Sequence, residues 1–127
     1  MAELARFVLK IGSVRLDGEL ADTSAGRAFV PLLPLGFSME RWGDEYYGDV
    51  GVPVGGVAGE TVEVLEVGDL AYWEPGNALC LFFGRTPASR GGEPRAASAV
   101  HPVGRARGDW SAVKRLGPRV QAQLERM

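Results

Sequence analysis

Cysteine and histidine are almost missing from this chain: 127 residues hold one of each, Cys80 and His101. A lone cysteine excludes an internal disulfide, and with it the disulfide-stapled secreted scaffolds. A lone histidine leaves a zinc site or a Ser/His/Asp triad short of partners, because every other metal ligand would have to be Asp or Glu. Long apolar runs are missing too. The longest covers residues 78–83, six residues against the roughly 20 that a spanning helix needs. Glu3, Arg6 and Lys10 interrupt the first ten residues, so no signal-peptide apolar region is expected there. These absences point to a soluble cytoplasmic protein with no membrane role. No catalytic set, metal site or cofactor motif is indicated.

Glycine is abundant instead, at 18 residues, about twice the usual ~7%. No G-X-Y period accompanies it, so the glycines are read as turn punctuation between short strands. Charge is unevenly spread. Residues 1–84 hold five basic and 13 acidic side chains, and residues 85–127 hold nine basic and three acidic, for a net −2. A basic C-terminal third is one signature of nucleic-acid binding. Here its arginines are dispersed with few aromatics among them, so the two segments are expected to neutralise each other within one fold.

The length suits one domain, residues 1–127. Residues 5–11 and 13–20 alternate apolar and polar around a Gly12-Ser13 hairpin turn. Asp22-Thr23-Ser24 caps a short helix that Pro31 and Pro34 limit, giving an expected helix near residues 22–33. Residues 36–50 read as two strands around Trp42-Gly43-Asp44, and residues 51–60 as a glycine-rich loop. Strands at 61–67, 70–74 and 78–83 follow, the last two separated by the turn Pro75-Gly76-Asn77. Residues 84–96 are a polar loop. Residues 97–107 are extended, with Pro102 marking an edge or a bulge. Asp109 caps a second helix near 109–116, stopped by Gly117-Pro118, and a final strand runs through Val120, Ala122 and Leu124. The regular turn spacing favours a mainly β, closed antiparallel barrel of about eight strands with two short helices.

Residues 67–87 (VGDLAYWEPGNALCLFFGRTP) and 41–47 (RWGDEYY) closely resemble a prokaryotic family of small cyclophilin-like proteins of unestablished function. A fainter likeness is to the true cyclophilins, the peptidyl-prolyl isomerases, whose eight-stranded barrel with two helices matches the element count. Gly36-Phe37-Ser38-Met39 is similar to their P-G-F-M segment, Phe82-Phe83-Gly84 to Q-F-F-I, and residues 101–105 (HPVGR) to H-V-V-F-G-K with one residue fewer. The resemblance implies that Phe37, Phe83 and His101 line the isomerase groove. It also departs from the pattern: the polarising arginine five residues before the matched Phe is Leu32, and no Trp lies between 84 and 100.

Prolyl isomerisation needs an apolar slot and a donor to the amide, whose rotational barrier is ~18–20 kcal/mol. Arg41 shares the alternating face of Phe37 and Met39 and is the candidate donor in place of the missing arginine. The groove set is thus Phe37, Met39, Arg41, Phe83 and His101. Cys80, inside an apolar strand, reads as an inert core thiol. Asp44 and Glu45 are adjacent, face opposite ways on a strand and make a poor acid/base pair. Trp42 and Tyr47 read as packing for the turn, with a groove rim as the functional alternative. Three roles are expected: first, a binding module for a peptide segment or small molecule; second, a weak isomerase; third, a non-catalytic subunit of an amide- or urea-processing assembly, as related barrels are, which would bring a protein partner. A nucleic-acid partner is disfavoured.

Overall fold

The computed structural model describes residues 3–127 and holds nine strands and two short α-helices. The strands are β1 (Glu3–Ile11), β2 (Val14–Ala21), β3 (Leu35–Arg41), β4 (Glu45–Asp49), β5 (Val62–Val64), β6 (Asp69–Trp73), β7 (Ala78–Phe82), β8 (Arg95–Arg107) and β9 (Arg119–Arg126). Eight of them form a continuous antiparallel ring in the order β2-β1-β9-β3-β4-β7-β6-β8, which closes when β8 pairs back onto β2. β5 is the extra strand, paired only with β8. A closed ring leaves no open edge among its members, which is the barrel expected from the turn spacing.

Alternation decides what fills the ring. Phe7, Leu9 and Ile11 of β1, Leu35, Phe37 and Met39 of β3, and Leu79, Leu81 and Phe83 of β7 and its continuation are all buried in one interior cluster. β6 and β7 differ from the other strands in being apolar on both faces, and their outward side chains feed a second, smaller cluster. Ala71, Cys80 and Phe82 there meet Leu65, Ala96 and Val100. The wall β4-β7-β6-β8 is therefore covered inside by the barrel core and, over part of its outer face, by β5 and the first half of β8.

The helices plug the two ends. α1 (Ser24–Phe29) links the end of β2 to the start of β3 through a 3-10 turn at Val30–Leu32. Thr23 caps it: its hydroxyl accepts from the Gly26 N–H and donates to the Pro102 carbonyl at 2.7 Å, tying the helix to β8. α2 (Trp110–Lys114) is capped by the Asp109 carboxylate and buries Val113. Arg107, at the end of β8, pairs with Asp17 near the start of β2, so α2 closes the end opposite α1. Pro102 sits at an irregularity in the β6–β8 pairing, where Leu70 opposes Gly104 and Ala71 opposes Pro102. The extra residue, Val103, lets β8 carry a proline without breaking the ring.

The charge asymmetry resolves into pairs. Arg105 reaches Asp69 and Glu66, Arg107 reaches Glu19, Arg119 reaches Glu40, and Lys114 lies near Asp44. Among the described residues, no helix is long and apolar enough to cross a membrane.

Candidate functional site

The five expected groove residues do not meet around an open groove. Phe37, Met39 and Phe83 are 6%, 0% and 1% exposed and belong to the interior core. The alternation that puts residues 35, 37 and 39 on one face is real, but that face points into the closed ring. Phe83 stacks on Tyr46, ring centroids 5.5 Å apart.

Arg41 continues the same inward face and lies at the α2 end of the barrel. Its Nε–H donates to the Gly43 carbonyl, one terminal nitrogen donates to the Lys114 and Leu116 carbonyls at 2.8 and 3.0 Å, and the other pairs with Asp44 at 2.8 Å. The guanidinium carbon sits 5.2 Å from the centroid of Phe83 and 5.7 Å from that of Tyr46. Arg41 is thus a staple between the β3–β4 turn and the end of α2, its donors committed to chain carbonyls and one carboxylate. His101 lies elsewhere, on β8 beside the bulge. It lines a depression with Thr23, Ser24, Arg27 and Glu60, and its buried Nδ1 has no hydrogen-bond partner among the described residues.

A different set of side chains does converge. On the outer wall, a cavity of about 270 Å³ is lined by Trp42, Glu45, Tyr47, Trp73 and Cys80, with the small residues of β8 from Ala96 to Val100 along one side. Each wall has a local cause. Trp42 leads into a tight hairpin turn closed by paired backbone hydrogen bonds between Trp42 and Glu45. Gly43 makes the turn at φ +62°, and a Cβ there would meet the backbone of Arg85 and Thr86 at 2.9 Å. That close approach docks the turn onto residues 84–87 and fixes where Trp42 sits. Glu45 and Tyr47 follow on the outward face of β4. Opposite them Trp73, from β6, donates its indole N–H to Ser98 Oγ at 2.8 Å, which holds the ring across to β8.

Glu45 is the unusual member. It is only 5% exposed, and no Lys or Arg pairs with it among the described residues. Burial pushes its carboxyl up to about 7, while a hydrogen bond from Cys80 pulls the other way. Cys80 is pushed well above the ordinary thiol range, first by burial and then by the charge of Glu45. It stays a protonated thiol, so the cavity holds no activated sulfur nucleophile. Tyr47 is also pushed up, by burial first and then by Glu40. No group of three His, Cys, Asp or Glu side chains among the described residues is placed to hold a metal ion.

Comparison with known proteins agrees with the barrel. The cyclophilin-like family model matches residues 5–125. The chain belongs to the cyclophilin-like family. A solved structure of similar shape is the solution structure of the hypothetical protein AF2241 from Archaeoglobus fulgidus. It is 34% identical, covers 100% of both chains and superposes with a TM-score of 0.75. No curated protein matches the chain. The family and the barrel are therefore fixed.

The signal for that cavity was present in the sequence. Glu45 and Tyr47 are two apart on a strand, and the runs LAYW and ALCLF are apolar without alternation, the mark of a strand covered on both faces. What the sequence lacked was the pairing that lays Tyr47 against Cys80 and Ala71 against both Cys80 and Pro102.

Proposed function

We propose that this cyclophilin-like protein is a binding module that takes a small molecule or the side chain of a peptide segment into the outer-wall cavity. The observation that carries this reading is the combination of three half-buried aromatic side chains, Trp42, Tyr47 and Trp73, around one buried carboxyl, Glu45. An apolar concavity with very few polar groups is the usual form of a ligand site, and its volume lies just below the ~300–1,000 Å³ range for such pockets, which suits a small ligand. The isomerase reading draws no comparable support, because Arg41 is bonded to three carbonyls and Asp44 and the residue at the polarising position, Leu32, is packed against the core.

The test is a fragment and short-peptide screen followed by amide chemical shifts. Ligands should shift residues 42–47, 73, 80 and 96–100 together, and Trp73→Ala should abolish those shifts while the fold survives. Shifts gathered instead around His101 and α1 would move the site and discard this reading.

A further inference from the structure

The two faces of the β3–β4 hairpin and its neighbour β7 carry related sets of groups. On the inner face Arg41 lies against the rings of Tyr46 and Phe83 and pairs with Asp44. On the outer face Trp42, Tyr47 and Trp73 surround Glu45. Aromatic rings and a carboxylate occur on both, but only the inner face has a cationic side chain of the chain's own among the described residues.

Three ligand chemistries are open to such a cavity. An anion is repelled by Glu45 once that carboxyl ionises. A neutral apolar group gains contact with the rings but leaves the ionised carboxylate buried and unpaired, which is costly. A cation relieves that cost and is also attracted to aromatic faces. Among cations, a guanidinium brings five N–H donors, and the lining offers few acceptors. Ser98 Oγ already accepts from Trp73, and the rest of the β8 side is alanine and valine. An ammonium whose hydrogens are replaced by methyl groups needs no acceptors at all.

We propose that the outer-wall cavity binds an alkylated ammonium group, with Glu45 as the counter-charge and Trp42, Tyr47 and Trp73 as its aromatic walls. This rests on the binding-module reading above and names the ligand class for that same cavity. The titratable groups that face Glu45 are Cys80 from β7 and Tyr47 on its own strand, the latter in turn against Glu40 of β3. Both Cys80 and Tyr47 are held neutral by burial at working pH, so the switchable charge in the cavity is that of Glu45.

The experiment compares choline with its uncharged isostere 3,3-dimethyl-1-butanol at pH 8, by chemical-shift titration of wild type and Glu45→Gln. Choline should bind wild type at least about tenfold more tightly than the alcohol. Glu45→Gln should cut that preference to about twofold or less, because the rings remain but the counter-charge is gone. A peptide carrying N-trimethyl-lysine is the second arm. Tighter binding of that peptide than of choline supports the proposal with a protein-borne ammonium, and equal or weaker binding supports it with a free one. Equal binding of choline and the alcohol overturns the ammonium class while leaving the cavity a ligand site. No shift at the cavity from any of the three compounds or from the fragment screen overturns both.

Discussion

The inner and outer faces of one wall, β4-β7-β6-β8, are built from the same strands and are covered in different ways. Inward side chains such as Leu79, Leu81 and Phe83 meet side chains from every other strand of the ring and are sealed. Outward ones such as Cys80, Phe82 and Ala71 are as deeply buried, but in a smaller cluster with Leu65, Ala96 and Val100 that is flanked by the half-buried Tyr47, Val62 and Trp73. Eight strands are enough to enclose an interior completely, because curvature brings all their inner faces together. One short strand of three residues, β5, does not tile the outside, and the uncovered remainder is the cavity between Trp42, Tyr47 and Trp73. Closure thus seals the inside, and the outside is where the proposed ligand site lies.

The sharpest way to break this comparison is truncation inside. Phe83→Ala should destabilise the protein by about 3–5 kcal/mol, since a fully buried ring stacked on Tyr46 is replaced by a hole. Chemical denaturation measures it. A loss under about 1 kcal/mol would mean that the ring is not sealed core.

Next comes the charge under the outer face. Glu45 titrates near 7 in the folded chain against an ordinary value of 4.5. The folded state therefore holds this proton more tightly than the unfolded state. The associated stability is complete below about pH 4.5 and is lost as pH climbs through 7, amounting to roughly 3 kcal/mol at most. Wild type should be less stable at pH 8 than at pH 5, and Glu45→Gln should remove the part of that slope that belongs to Glu45. Glu19 and Glu93, whose carboxyls are shifted downward, act at lower pH and stay out of this window. Parallel pH profiles for wild type and variant would remove the buried, ionisable carboxyl from the account.

Arg41→Ala should cost about 2 kcal/mol, less than the number of its hydrogen bonds suggests, because the side chain is partly exposed and water can replace some of them. The loss should appear as faster amide exchange in α2 and the residues that follow it, where Lys114 and Leu116 lose their donor. Uniform exchange across the chain would place the role of Arg41 elsewhere. The smallest effect belongs to the outer rim. Trp73→Ala should change stability by about 1 kcal/mol and abolish ligand shifts at the cavity. A loss as large as that of Phe83→Ala would make the outer face a second core and erase the contrast.

Much of the fold could be read from local pattern. The alternations of β1, β2, β3 and β9, the Thr23 and Asp109 caps, and the bulge at Pro102 are short-range features whose physics acts within a few residues. The site was legible only in pieces. Alternation correctly grouped Phe37, Met39 and Arg41, yet it says nothing about which face a ring will enclose, and that depends on β8 finding β2. It also set Asp44 and Glu45 on opposite faces, and they are: Asp44 joins Arg41 while Glu45 goes outward. A glutamate on a strand reads as solvated, so the burial of Glu45 had no local sign. Trp42 and Tyr47 belong to the β3–β4 hairpin and Trp73 and Cys80 to the β6–β7 hairpin, and only the pairing of β4 with β7 brings the two hairpins together.

The seam that closes the ring has a kinetic side. Asp17 to Leu20 of β2 pair with Gly104 to Arg107 of β8, partners drawn from opposite ends of the sequence. Contacts so distant require most of the chain's loop-closure entropy to be lost before they form, which places them late and slow in folding. The strand that makes this seam is the same β8 whose first half lines the cavity. During synthesis, a chain whose last third has not yet been made holds Trp42, Glu45, Tyr47 and Trp73 but has no β8 to set them against. The proposed site is therefore assembled only when the chain is nearly whole, and a ligand of that site would meet the finished barrel rather than serve as a template for building it.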